Sequence, residues 1–513
     1  MIRSIRNLNR LYTIGRVLAR HDALFLLEDY LPAMRHVSSA LRGGRPSVSS
    51  GRPGERLAAA LTELGPSFIK LGQALSTRAD LLGEEMAADL SGLQDKLPPF
   101  PVAEVRAIIE EELGGPLANF YSNFDDEPVA AASIAQVHFA VTRDGREAAV
   151  KVLRPGVEAK FRRDIDLLYW LAEWAERTMP RLRRLRPTDT VKTFEDSVTL
   201  EMDLRFEAAA AAELAENFRG DDSFKVPEVD WLRTGKRLLT LERVAGIPVD
   251  EREALIAAGH DPVEILAKAA EAMFKQVFRD GFFHADMHPG NLFIDAQGNL
   301  VAVDFGIMGR VDKRTRRFLG EMLLGFLSGD YRKVAEVHFA AGYVPADQPI
   351  DTFTQACRSI AEPILGRPLH EISIAKLLGQ LFQITETFAM ETQPQLLLLQ
   401  KSMLVAEGVG RILDPEINMW QLAQPLIENW MIENLGPEAR VRETLGSVVG
   451  SLERLPRLLH ETEKTYSMLV NQGLKLHPDT VRNIFGDSGR RRGPSPLFAW
   501  ALAAVLAILL FLK

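Results

Sequence analysis

His284-Ala285-Asp286-Met287-His288-Pro289-Gly290-Asn291 is followed by an apolar run from Leu292 to Ile294, a turn containing Gly298, a second apolar run beginning at Leu300, and then Asp304-Phe305-Gly306. Read outward, this stretch is two short strands joined by a tight turn, with polar residues gathered at the outer ends. An Asp, an Asn five residues on and a second Asp after the hairpin bring hard oxygen groups to one place. Phosphoryl transfer needs such a set: a carboxylate near the attacking hydroxyl, and oxygen ligands for a Mg²⁺ that bridges the phosphates of ATP. Asp286 is then the candidate base or nucleophile-positioning group, and Asn291 and Asp304 are the candidate metal ligands. Asp-Phe-Gly alone would be weak evidence; the combined order is specific. His284 and His288 could suggest metal binding, but without cysteine or a third nearby ligand they fit loop-positioning roles better.

Upstream, Glu147-Ala148-Ala149-Val150-Lys151-Val152-Leu153 reads as a strand with a single lysine inside it. A strand lysine alone is usually a solvated edge residue. Here it precedes Asp286 in the order used by protein kinases, where an inward ammonium contacts the α- and β-phosphates. Such a lysine needs a carboxylate on a neighbouring helix, and Leu200–Ala208 offers Glu201, Asp203 and Glu207. Asp203 and Glu207 could share a helical face at i and i+4, whereas Glu201 and Glu207 are six apart. Glu207 is the expected partner. The loop before the strand is Ala130-Ala131-Ala132-Ser133-Ile134-Ala135-Gln136-Val137, the candidate nucleotide-binding segment together with Lys151. It lacks the Gly-x-Gly-x-x-Gly pattern. Alanine largely avoids φ > 0, so this loop should be stiffer and approach phosphates differently.

Composition bounds the rest. Of 513 residues, 46% are apolar and 25% charged, ample for a large core. The net charge of −8 argues against a dedicated nucleic-acid binder. One cysteine, Cys357, excludes an internal disulfide, a zinc cluster and a redox pair, and suits a reducing compartment. Five arginines and no acid, interleaved with apolar residues from Met1 to His21, make a basic amphipathic helix that could lie on an anionic membrane, pack on its own domain, or serve as a transit peptide. At the other end, Leu497 to Leu512 is an uncharged apolar run of about 24 Å as a helix, preceded by Arg490, Arg491 and Arg492. It reads as a C-terminal membrane anchor, with the bulk of the chain on the cytoplasmic face of the inner membrane.

These signals predict an α+β, two-lobed fold. A helical region spans residues 1–125, an N-lobe 126–248, a C-lobe 249–430, a helical extension with tether 431–495, and the anchor helix 496–513. Within the first region, Ser67–Arg78 is helix-like, with Lys70, Gln73 and Thr77 on one face.

Together the pieces resemble the UbiB/ADCK family of atypical kinases, over roughly Leu57 to Asn418. The KxGQ signature (Lys70, Gly72, Gln73), the alanine-rich loop, the ExD pair (Glu201, Asp203), the HxDxHPGN loop and the Asp-Phe-Gly stand in family order. The resemblance implies a protein-kinase-like fold, with KxGQ helices over the cleft and Lys70 and Gln73 meeting Glu201 or Asp203 in a regulatory role. It also implies ATP and Mg²⁺ as cofactors, ATPase activity, and a role in ubiquinone biosynthesis. Polyprenyl-phenol precursors, membrane lipids and a quinone-synthesis enzyme complex would be its partners. Bacterial members usually end in two apolar segments; one is visible here. The 2-polyprenylphenol 6-hydroxylase label attached to such proteins finds no dinucleotide fingerprint or oxygen-activating ligand cluster in this sequence. Two alternatives carry different expectations: a small-molecule kinase of the aminoglycoside or choline type, and a non-catalytic scaffold of a quinone-synthesis complex.

Overall fold

Apolar side chains of the basic N-terminal segment fall on one helical face, and in the computed structural model that face is covered by protein. Helix α1 (Ile2–Arg20) buries Leu11, Ile14, Leu18 and Ala19. Its neighbours are α2 (Pro53–Leu64), α3 (Pro66–Ser76) and α4 (Glu84–Ser91), which share one apolar cluster with it. Arg10 grips Asp164 through two bonds of 2.8 and 3.0 Å, Arg6 reaches Asp166 at 2.5 Å, and Arg20 pairs with Glu63. Of the readings open to this helix, the structure shows packing on the chain's own domain.

Residues described are 2–24, 51–76, 84–91, 93, 97–178, 187–221, 223–363, 384–385, 387–390, 394–414, 416, 425–427 and 429–430. Those up to Gln424 belong to one compact unit, and those from Pro425 on belong to a second. Among the described residues no helix is long and apolar enough to cross a membrane. The expected anchor at 496–513, the extension at 431–495 and Thr77 all lie outside them.

After α5 (Val102–Leu113) comes an antiparallel sheet of β1 (Tyr121–Phe124), β2 (Ala130–Ala131), β3 (Ala135–Thr142) and β4 (Glu147–Leu153). Alternating burial along β3 and β4 follows from the period of two, which turns successive side chains to opposite faces. Helices α6 (Val157–Thr178), α7 (Pro187–Glu201) and α8 (Leu204–Asn217) follow. Leu167 and Leu171 of α6 join the cluster under α1, tying the N-terminal helices to the sheet domain. The short β5 (Phe224–Lys225) precedes β6 (Leu238–Glu242), which pairs with β4 so that Lys151 stands opposite Leu239. The sheet order is β1-β3-β4-β6, with β2 on β3.

The second lobe begins with β7 (Ile247–Pro248), α9 (Arg252–Ala257) and α10 (Pro262–Phe274). Asp261 caps α10 by accepting the Val263 N–H, and Pro262 needs no donor at its first position. The helix runs into a π-helical turn, Lys275–Asp280, that ends at Gly281. Gly281 has φ of +69°, and a Cβ there would stand 2.4 Å from the Val311 carbonyl, so only glycine fits without displacement. There β8 (Phe282–His284) starts. It pairs with β11 (Met308–Arg310), while β9 (Leu292–Ile294) and β10 (Leu300–Ala302) form the hairpin expected between the two polar clusters. Helices α11 (Lys313–Leu327), α12 (Tyr331–Ala341), α13 (Ile350–Ala361) and α14 (Pro394–Leu413) complete it. Cys357 is buried on α13 beside Phe353, its thiol pushed up to about 12 by burial.

Candidate phosphoryl-transfer site

The Lys151 ammonium lies 2.7 and 3.0 Å from the two carboxylate oxygens of Glu207 and 3.3 Å from Asp304 Oδ2. Strand β4, the first turn of α8 and the segment after β10 thus converge on one cation. Burial alone would push that ammonium down, but Asp304 and Glu207 outweigh it and its pKa ends raised. Asp304 is opposed by burial, yet Lys151 and the Gly306 N–H hold its carboxyl well below the usual range. Its side chain remains 45% exposed, whereas Glu207 is only 8% exposed. One carboxylate therefore anchors the lysine and the other also faces open space.

Glu207 is the acid that pairs with Lys151. The helical-face argument for Asp203 fails because the helix breaks there. Asp203 is extended (φ −124°, ψ 95°) and caps α8, accepting the Arg205 N–H and binding the Arg205 side chain at 2.8 and 2.6 Å. Glu201 ends α7 and receives Lys70 of α3 at 2.7 Å. Of the two acids expected to meet the KxGQ lysine, Glu201 does so and Asp203 is committed elsewhere. Gly72 lets α3 approach its neighbours: a Cβ would lie 2.5 Å from Leu93 Cδ1 and 2.7 Å from Leu61 Cδ1. Gln73 is half-buried on the same helix.

The loop between β8 and β9 is held by its histidines. Buried His284 donates from Nε2 to the Asp304 carbonyl, and its Nδ1 accepts the Asp286 N–H at 3.2 Å. One neutral imidazole thus ties the Asp286 and Asp304 backbones together. His288 Nδ1 accepts the Gly290 N–H at 3.1 Å, and its Nε2 stands 3.8 Å from Asp286 Oδ2. Asn291 donates to the Asp286 carbonyl at 3.0 Å, so its Oδ1 is the oxygen left for a ligand. Among the described residues no three His, Cys, Asp or Glu side chains converge as a metal cage. An amide oxygen and a carboxylate suit Mg²⁺, which keeps waters and takes substrate phosphates to complete its shell.

The alanine-rich loop is clamped from behind. Arg154 donates to the Ala132 carbonyl at 2.8 Å and to Pro98 and Leu97 carbonyls at 2.9 and 3.2 Å, and its guanidinium lies over the Phe100 ring. Gln136, nearly fully buried, pairs through its amide with the Phe100 N–H and carbonyl at 2.9 and 3.3 Å. Ser133, Ile134 and Ala135 are buried, while Ala130 is exposed and Ala131, Ala132 and Val137 are half-buried. No residue of Ala130–Val137 takes a positive φ. The side chain of Gln136 is thus spent on bracing the loop, and Ala130 stays exposed at its edge.

Three further groups escaped sequence reasoning. Lys401 of α14 contacts Asp286 Oδ1 at 2.8 Å. Gln276, fully buried in the π-helical turn, accepts the His284 N–H at 2.8 Å. Arg154 is the third. Only Lys401 left a signal, as one cation in an otherwise uncharged stretch from Pro394 to Ala406.

Comparison with known proteins accords with this geometry. The model of the ABC1 atypical kinase-like domain matches residues 92–338, and that of the UbiB helical domain matches 357–418. A probable protein kinase UbiB of Marinobacter nauticus is 43% identical over 424 residues, covering 81% of this chain and 77% of that protein. Its namesake in Pseudomonas paraeruginosa is 43% identical over 470 residues, 90% and 87% of the two chains. The solved Rv3197–erythromycin complex from Mycobacterium tuberculosis has the same fold at 24% identity, with a TM-score of 0.51 over 78% of this chain and 98% of that one. With the Lys151–Glu207 pair joining the sheet lobe to the helix beside it, and the Asp286 and Asp304 loops in the other lobe, the chain is a two-lobed, kinase-like protein of the UbiB family of atypical kinases.

Proposed function

We propose that this chain uses Mg-ATP, as a phosphotransferase or ATPase, in support of ubiquinone biosynthesis at the inner membrane. The single observation carrying this reading is Lys151 held between Glu207 and Asp304. That arrangement presents a fixed ammonium and a partly open carboxylate at one point, as nucleotide phosphates require. Lys151 binds the α- and β-phosphates, and Asp286 accepts the proton of the attacking hydroxyl or water. Asn291 and Asp304 would hold Mg²⁺, which when bound neutralises charge on the β- and γ-phosphates. The Ala130–Ala132 edge covers the nucleotide. Lys70, paired with Glu201, holds the KxGQ helix against α7, next to α8, which carries Glu207.

Membership of the UbiB family supports a role in quinone synthesis, in which polyprenyl-phenol lipids would be acted on or presented, and the apolar run at 497–512 would supply the attachment to the membrane. The test is ATP turnover by the purified full chain, with and without anionic liposomes and a phenol-headed lipid, beside Asp304→Asn. Turnover that rises with lipid and disappears in D304N is the expected result. Rescue of quinone synthesis in cells by D304N would instead favour a scaffold.

A further inference from the structure

Lys401 sits in the helical domain that follows the kinase-like region, yet its ammonium is 2.8 Å from Asp286 Oδ1. Its position is fixed by packing. Val409 and Leu413, on the same helix, are 4% and 0% exposed and lie in the core cluster that includes Phe282 and Met287 on either side of Asp286. Arg252 of α9 donates to the Leu413 carbonyl at 2.9 Å, and Ser402 is fully buried. A helix anchored in that core holds the Lys401 backbone in place, so the ammonium starts from a fixed point beside Asp286.

An oxygen that gives its proton to Asp286 must lie about 2.6–3.2 Å from the carboxylate. The phosphorus it attacks then lies about 3–3.5 Å further on. A lysine touching Asp286, with a side chain one-third exposed and two N–H bonds uncommitted to that contact, falls within reach of the oxygens on that phosphorus. Lys151, by contrast, is already held by Glu207 and Asp304.

We propose that Lys401 is a catalytic residue: a second ammonium, delivered by the helical domain, that contacts the transferring phosphoryl group while holding Asp286 Oδ1. In that step the acceptor oxygen forms a bond to the γ-phosphorus as the bond to the β,γ-bridging oxygen breaks. ADP departs with that electron pair, and the acceptor's proton passes to Asp286 Oδ2. His288 Nε2, at 3.8 Å, is too far to occupy that oxygen by a hydrogen bond. Lys401 stabilises charge on the equatorial phosphoryl oxygens, where a cation placed in advance acts on the charge that develops.

The proposal rests on the phosphotransfer reading, and its test separates the two. Turnover of Mg-ATP and affinities for Mg-ATP and Mg-ADP are measured for the full chain, Lys401→Met and Lys401→Arg, with thermal unfolding of each. K401M should lose about 10²–10³-fold in kcat. It should bind Mg-ADP within about twofold of the parent, losing only the extra affinity due to the γ-phosphate, and K401R should recover part of both. K401M with unchanged kcat and an unchanged ATP-to-ADP preference overturns the proposal. So does a K401M whose melting temperature and affinity for both nucleotides fall together, since that marks a structural ion pair. A parent chain that binds neither nucleotide refutes the phosphotransfer reading itself. A parent that binds without turning over leaves the ATP-to-ADP preference to decide.

Discussion

Replacing Lys151 with methionine keeps the length of the side-chain stem but removes the ammonium that Glu207 and Asp304 share. Glu207 is 8% exposed and was held by bonds of 2.7 and 3.0 Å; it would face Asp304 with no cation between them. Removing one partner of a buried ion pair costs about 3–5 kcal/mol. Each kcal/mol lowers the melting temperature of a large domain by about 2–4 °C. Asp304 can relax into the cleft through its exposed side, which favours the lower end, so K151M should melt roughly 6–12 °C below the parent. The further change Glu207→Leu converts the orphaned carboxylate into an apolar contact, and K151M/E207L should regain most of that loss without regaining nucleotide binding. Circular dichroism melts at low and at 0.5 M salt measure both. Salt should change the differences little, because buried pairs are weakly screened. A K151M melting within 2 °C of the parent, or a double variant no better than the single one, would refute the claim that this ammonium is the electrostatic keystone joining the lobes.

Other perturbations test other parts. Arg154→Ala removes three bonds to backbone carbonyls behind the alanine-rich loop. It should cost about 2–3 kcal/mol, judged by the worth of charged hydrogen bonds, and weaken ATP binding about tenfold by calorimetry. Arg10→Met leaves Asp164, whose side chain is 3% exposed, with Arg163 alone; stability should fall by about 2 kcal/mol in urea titrations, reporting how firmly α1 belongs to the core. His338 is held below the ordinary histidine range by burial, despite its Nδ1–H bond to the Val334 carbonyl at 2.8 Å. The unfolded chain then binds the extra proton first, so this contribution is intact above about pH 6.5 and is lost as pH falls through the folded value. His338→Phe, packed against Tyr343 and Phe353, should therefore flatten the loss of stability between about pH 7 and 5. An unchanged slope would place the acid sensitivity elsewhere, for instance at buried His138.

Much of the site could be read from the sequence because its chemistry is local. The hairpin of β9 and β10 brings Asn291 and Asp304 together over 13 residues, and short-range turn signals specify it. The strand around Lys151 announced itself by β-branched and small residues around one charge. What stayed hidden were contacts made across long loops. Lys401 is 115 residues from Asp286, and periodicity within a helix says nothing about which distant loop its face will meet. The Asp203 reading failed for a local reason: a helix stop followed at once by a new N-cap looks, residue by residue, like one continuous charged helix. The N-terminal helix shows the same limit, since an amphipathic face is identical in sequence whether lipid or α2 covers it.

On the proposed function, Lys151, Asn291 and Asp304 form an Mg²⁺-dependent nucleotide site. Isothermal titration of the full chain with ATP, in Mg²⁺ and in a chelator, beside D304N, tests it most directly. Saturable binding that requires Mg²⁺, and that is lost in D304N while the variant stays folded, is the expected result. Binding that is indifferent to Mg²⁺ and to Asp304, or no binding by the folded parent chain, would contradict it.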